Sequence, residues 1–160
     1  MVAPTHRVPA HLARRFHQIC LGVLAEVTEP CGISPLQYAM LAALEEEPGI
    51  DQRRLALRVG CDVVTAGQLI EALEAAGYVD RRVDPNDRRA RLLRLTASGT
   101  RLRHRLRPLI AAAHARIVDP LTSKEQTLLV DFLTRVVEGN ESYARPGNAR
   151  RRPRKPAAPA

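Results

Sequence analysis

Tryptophan is absent from this chain of 160 residues and aromatic side chains make up only 3%, so any core must be built from Leu, Val, Ile and Ala. No apolar run approaches the roughly 20 residues that a membrane-spanning helix requires. The opening MVAPTHRVPAHLARRF also lacks the apolar block of a secretory signal. A soluble cytoplasmic protein without a membrane partner is the expectation. Cysteine occurs three times, at Cys20, Cys31 and Cys61, an odd number without Cys-x-x-Cys spacing, which argues against a disulfide framework and against a zinc site. His6, His11, His17, His104 and His114 form no pair at metal-ligand spacing, and neither a Gly-rich phosphate loop nor Gly-x-Ser-x-Gly occurs. No enzyme, cofactor or metal is expected.

Basic residues exceed acidic ones by eight, but unevenly along the chain. Residues 145–160 hold six bases (Arg145, Arg150, Arg151, Arg152, Arg154 and Lys155) and no acid. Taking those six from the 25 leaves 19 against 17 acids, so the body carries a net charge of only about +2. The informative cluster lies within that body, in YVDRRVDPNDRRARLLRL from Tyr78 to Leu95. Two strand-like runs flank Asp84-Pro85-Asn86-Asp87, a set of turn residues, and Arg88 and Arg89 fall near the tip. A basic hairpin of this kind suits contact with an acidic polymer.

The rest of the chain reads as helices. Residues 10–29 space Leu12, Phe16, Ile19, Val23 and Val27 three to four apart, giving one apolar face, and Pro30-Cys31-Gly32 ends it. Ser34-Pro35-Leu36-Gln37 reads as a capping box that opens a helix to about Glu46, with Leu36, Met40, Leu41 and Leu44 inward and Glu45-Glu46-Glu47 as a solvated end. Asp51 can cap a short helix through Val59, with Gly60 as its breaker. Asp62 can cap another to Ala76 with Val63, Leu69, Ile70 and Leu73 on the core side, and Gly77 closes it. Two helices joined by a short turn fit a helix-turn-helix. Thr96 opens a fifth helix that Pro108 should bend or divide. Thr122 to Glu125 is a second capping box, ahead of Leu128, Leu129, Phe132, Leu133, Val136 and Val137. From Ala144 onward the mix of Pro, Gly, Ala and Arg has no periodicity and predicts disorder.

The run GYVDRRVDPNDRRARLLRLTASGTRL resembles the wing signature of the MarR family of bacterial transcriptional regulators, and LQYAMLAAL, QRRLALRVG and TAGQLIEALEAAGYV resemble the segments that precede it. The similarity spans about residues 10–140. It implies a mainly α fold with a small β-wing, in which a winged helix-turn-helix lobe joins a helical dimerisation region. On that basis residues 1–9 form a flexible arm, 10–33 a dimerisation helix, 34–95 the DNA-binding lobe, 96–144 further dimerisation helices and 145–160 a disordered basic tail. The implied protein is a cytoplasmic homodimer, nucleoid-associated when bound to double-stranded DNA. Repression is the family's commoner mode, at a pseudo-palindromic operator.

Carried over residue by residue, the resemblance sets Thr65 and Gln68 on the helix that enters the major groove. Gln68 could bond an adenine edge bidentately, and Thr65 suits a phosphate or a thymine methyl. Many relatives carry Arg where Gln68 stands, so their base preference does not transfer. Gly67 and Ala66 either permit close approach to DNA or are simply small surface residues. Arg89 matches the arginine placed in the minor groove, Asp87 the acid that steadies it, and Arg88 is the next candidate. Arg53, Arg54, Arg81, Arg82, Arg91 and Arg94 are phosphate-contact candidates. Many relatives bind a small aromatic carboxylate between lobe and dimer region, for which Arg15, His17, Tyr38 and Met40 are the candidates here. A surface Arg15 and a core Tyr38 remain the alternative. The absence of Trp argues against the urate-responsive relatives. Redox sensing by Cys20 or Cys61 is the weaker alternative, although a helix dipole could lower the pKa of Cys61. Two rivals from other classes stand beside the regulator: an enzyme, and a winged-helix module for nonspecific nucleic-acid or protein contacts.

Overall fold

The computed structural model describes residues 7–83 and 91–143. In chain order these form α1 (Pro9–Thr28), α2 (Pro35–Glu46), β1 (Ile50–Asp51), α3 (Gln52–Val59), α4 (Val63–Ala75), β2 (Val79–Val83), β3 (Arg91–Leu95), α5 (Ala97–Val118) and α6 (Ser123–Gly139). The architecture is mainly α with a small antiparallel sheet, a winged helix-turn-helix lobe attached to long helices.

Helix starts follow the capping residues. Ser34 Oγ accepts from the Gln37 backbone N–H at 3.2 Å, and Gln37 Oε1 accepts from the Ser34 N–H at 2.8 Å. A Ser cap of this type stabilises a helix by about 1 kcal/mol. Asp51 accepts from the Arg54 N–H at 2.9 Å, and Thr96 from the Gly99 N–H at 3.0 Å. Thr122 and Glu125 form the second capping box. Gly60 and Gly77 both adopt φ of 73°, a left-handed conformation open to glycine at little cost, and they end α3 and close the turn after α4.

The sheet order is β1-β3-β2, with β3 in the middle. Val79 pairs with Leu95 and Arg81 with Leu93, while Ile50 pairs with Leu93 from the other side. β1 was not anticipated from sequence, because two residues are too few to show an alternating pattern. It ties the base of the wing to the link between α2 and α3.

The core of the lobe lies between α2, α3, α4, the sheet and the first half of α5. Leu41, Leu44, Leu55, Ile70, Leu73, Leu93 and Leu106 are all essentially inaccessible. Three expectations are corrected here. Ala66 is fully buried, so its small size serves packing between helices and not approach to DNA, whereas Val63, expected inward, is 43% exposed. Pro108 does not end a segment: α5 runs through it for 22 residues. The ring costs the helix one hydrogen bond, and it lies on the solvent side.

The flanking helices differ. α1 packs on α5, yet only Thr28 of its residues is buried. α6 has no buried residue at all, with Phe132 54% and Val136 and Val137 61% exposed.

Candidate nucleic-acid interface

The turn between α3 and α4 and the outer face of α4 form one side of the lobe. Asp62 caps α4 by accepting from the backbone N–H groups of Val64 (3.0 Å) and Thr65 (2.9 Å), and it also accepts the Thr65 hydroxyl proton at 2.7 Å. The Thr65 hydrogen bond, with help from these backbone donors, holds the Asp62 carboxyl below the usual carboxylate range. The Thr65 proton is thus already committed, leaving its methyl group and the acceptor lone pairs of its oxygen for a partner. Gln68 is exposed. Beside it stands a residue that periodicity alone did not single out: Val64, 72% exposed at the start of α4. An apolar side chain there is suited to a thymine methyl.

Gln52 locks the two helices of the motif together. Its Nε2 donates to the Val63 carbonyl at 3.0 Å, and a Cβ added to Gly67 would lie 2.9 Å from that same nitrogen. Gly67 therefore makes room for the Gln52 side chain. Neither reading offered by the sequence anticipated this, since a contact across 15 residues leaves no periodic trace.

The arginines divide by what they already touch. Arg53 is exposed on α3, and Arg91 is exposed at the start of β3. Arg54 pairs with Glu47, and Arg58 pairs with Glu46 and Glu47. Arg81 is half-buried with its Nε 2.6 Å from Glu74 on α4, and Arg82 pairs with Asp80 at 2.8 Å. The acidic end of α2, expected to be merely solvated, is in use throughout. Exposed pairs such as these are worth roughly 0–1 kcal/mol, so a DNA phosphate can compete for the arginine. Arg81 is the least available because it is held between wing and α4. Asp87, Arg88 and Arg89 lie outside the described residues, as do the turn residues Asp84 to Asn86 and the tail from residue 144.

The four ligand candidates are not gathered into one cavity. Met40 is fully buried in the lobe core, and Arg15 and His17 are exposed on α1. The Tyr38 ring is buried, with its hydroxyl accepting from Arg103 at 2.7 Å and the guanidinium 5.0 Å from the ring centre. Burial raises the Tyr38 pKa, partly offset by the Arg103 charge. Glu45 completes the group: Arg103 Nε lies 3.4 Å from one oxygen and His104 Nε2 2.9 Å from the other. These contacts fasten α5 to α2.

The cysteines behave as packing residues. Burial pushes the Cys20 thiol pKa up, and burial followed by the neighbouring Asp62 charge does the same at Cys61. For Cys61 this reverses the lowering suggested by its place before α4. Both shifts reduce the reactive thiolate. Among the described residues no cluster of His, Cys, Asp or Glu is placed to hold a metal, and no single helix is long and apolar enough to cross a membrane.

Residues 32–90, from just before α2 through the helix-turn-helix and past β2, match the model of the MarR family. The PcaV transcriptional regulator of Streptomyces coelicolor is 37% identical, with 84% of this chain and 98% of that one aligned at a TM-score of 0.69. This chain belongs to the MarR family. It is accordingly a DNA-binding transcriptional regulator with a winged-helix lobe. PcaV has also been solved in complex with its natural ligand, and that form superposes at 0.74. The transcriptional regulator HosA of Escherichia coli O111:H- is 28% identical over 127 residues, 79% of this chain and 86% of that protein. The fold extends to the transcriptional repressor CouR bound to a 23-mer DNA duplex, 23% identical, covering 86% of this chain and 99% of that one at a TM-score of 0.77.

Proposed function

We propose that this protein is a homodimeric, cytoplasmic repressor that binds a pseudo-palindromic operator and is released by a small aromatic acid. The observation carrying the reading is the outer face of α4. Gln68 and Val64 project from a helix seated on a complete core, with the β2–β3 ribbon beside it. In the operator complex α4 lies in the major groove, Gln68 bonds an adenine edge and Val64 and the Thr65 methyl meet thymine methyls. The wing tip carries Arg89 into the minor groove, steadied by Asp87 and assisted by Arg88, where a narrow A·T-rich groove concentrates negative potential. Arg53, Arg54 and Arg91 contact phosphates. Arg81 joins them only by leaving Glu74.

Two copies are invoked because, among the described residues, Leu12 and Ile19 of α1 and the apolar face of α6 stay exposed, and a two-fold dimer presents two α4 helices to two half-sites. Arg15 and His17, exposed on α1, supply the polar contacts to the effector, while the buried Tyr38 and Met40 stay in the lobe core. The structure of PcaV with its natural ligand and that of CouR with a DNA duplex support a regulator of this type. The chemistry is binding alone, and the nucleoid is its place of action.

The test is Arg89→Ala in a gel-shift titration against a duplex selected from random fragments. Operator affinity should fall strongly with the dimer intact, and the slope of log affinity against log salt should flatten by about one unit for each phosphate no longer neutralised. Wild-type affinity for Arg89→Ala would overturn the wing assignment. If random duplex competed as well as the selected site, the protein would be a nonspecific winged-helix module.

A further inference from the structure

Gln52 is the first residue of α3, and it stands between the two elements assigned to DNA. Immediately before it in the chain is β1, where Asp51 pairs with Leu92 of β3, the middle strand of the wing sheet. Facing it in space is the start of α4, whose Val63 carbonyl accepts from Gln52 Nε2 at 3.0 Å. One side chain thus ties the strand bound to the wing to the first residue of the recognition helix, 11 residues further along the chain.

The contact depends on Gly67. In an α-helix the residue four positions on stands beside a given carbonyl, with its Cβ tilted back toward the N-terminus. A side chain at position 67 would therefore shield the carbonyl of Val63. Glycine leaves it open: a Cβ added at Gly67 would lie 2.9 Å from Gln52 Nε2, and the three atoms nearest to it all belong to the Gln52 amide. Glycine inside a helix weakens it, yet α4 carries one in its second turn, directly before Gln68.

We propose that Gln52 is a positioning residue for sequence selection. Anchored through β1 to the wing sheet, its amide fixes where α4 begins, so that Val64, Thr65 and Gln68 meet the major groove in register with the wing in the neighbouring minor groove. Gly67 is its counterpart and keeps the Val63 carbonyl within reach. The inference rests on the reading of α4 as the major-groove helix. No charge enters the device, because an amide donates to a carbonyl. It therefore shapes the choice among sequences and leaves untouched the phosphate attraction that all duplexes share.

Gln52→Met keeps the length of the side chain and removes the donor, while Gly67→Ala pushes the amide off its carbonyl with Gln52 still present. The test is binding of each full-length variant to the selected duplex and to random duplex, by fluorescence anisotropy at one salt concentration. Each variant should bind the selected duplex about five- to tenfold more weakly, the weight of one hydrogen bond, and random duplex as tightly as wild type does. The double variant Q52M/G67A should be no worse than either single, because both changes remove the same contact. Thermal unfolding separates positioning from folding: Gly67→Ala should hold or raise the midpoint, alanine being the better helix former, while its preference for the operator falls. A midpoint that drops along with affinity would reduce the pair to a folding role and overturn the inference. Equal losses on both duplexes would overturn it too, by making Gln52 a phosphate contact. So would additive losses in the double variant, or a preference unchanged in both singles. A wild-type protein with no preference for the selected duplex would instead overturn the reading of α4, and this inference with it.

Discussion

The lobe and the helices that flank it treat their apolar residues in opposite ways. In the lobe, Leu44, Leu55, Ile70 and Leu73 are 0–1% exposed, and the buried Gln37 donates to the Leu69 carbonyl. On α6, Leu128, Phe132, Leu133, Val136 and Val137 stand 40–61% exposed, and on α1 Leu12 and Ile19 are about half exposed. The same aliphatic chemistry thus closes one region and leaves the other open. α5 joins them, burying Leu102 and Leu106 beside the lobe while leaving Leu109 at the surface. The difference supports the proposal that the lobe carries the reading surface by itself while α1 and α6 meet a second copy.

Placing charges on the open region should produce the largest effect. L133D/V136D leaves the lobe core untouched, so helical content should persist while the protein becomes monomeric and operator affinity drops by about a hundredfold or more, because two linked half-sites become independent. Light scattering together with a gel shift reads both changes. An unchanged dimer would mean that α6 is not its interface.

A truncation in the closed region comes next. Leu73→Ala should cost about 2–5 kcal/mol in denaturant unfolding, the range for a fully buried leucine. Leu133→Ala should instead act through the monomer–dimer balance, so its effect on the midpoint should depend on protein concentration. Equal and concentration-independent losses would erase the distinction between the regions.

The smallest effect is at Asp62. Its pKa is lowered in the fold, so its contribution is present above the pKa of the unfolded chain and fades as pH falls through the lowered folded value. Asn accepts the same backbone hydrogen bonds without titrating. Asp62→Asn should therefore show a flatter acid limb of stability against pH than wild type, and identical limbs would mean that Asp62 does not shape the acid response.

Much of this contrast is written in local sequence. The capping boxes at Ser34 and Thr122, the caps at Asp51, Asp62 and Thr96 and the glycines after α3 and α4 set helix ends, because each acts on neighbours three or four residues away. The β2 and β3 strands were legible for the same reason, and the wing motif brought the family with it. What escaped is long-range. β1 is too short for a pattern, Gln52 reaches Gly67 only once the turn is formed, and Ala66 looks the same in a core as on a surface. The pairing of Glu45, Glu46 and Glu47 with arginines from α3 and α5 follows from how helices pack, not from spacing. Of the site, Gln68 and Thr65 could be placed on α4 in advance, but the Thr65–Asp62 hydrogen bond and the exposure of Val64 needed the folded turn.

The most direct test is the mass of the complex between full-length protein and its selected palindromic duplex, measured by analytical ultracentrifugation across a titration. Saturation is expected at two chains per duplex, the free protein already sedimenting at twice the 17.7 kDa of one chain. A single chain per site, from a protein that is monomeric in solution, would contradict a dimer built on α1 and α6.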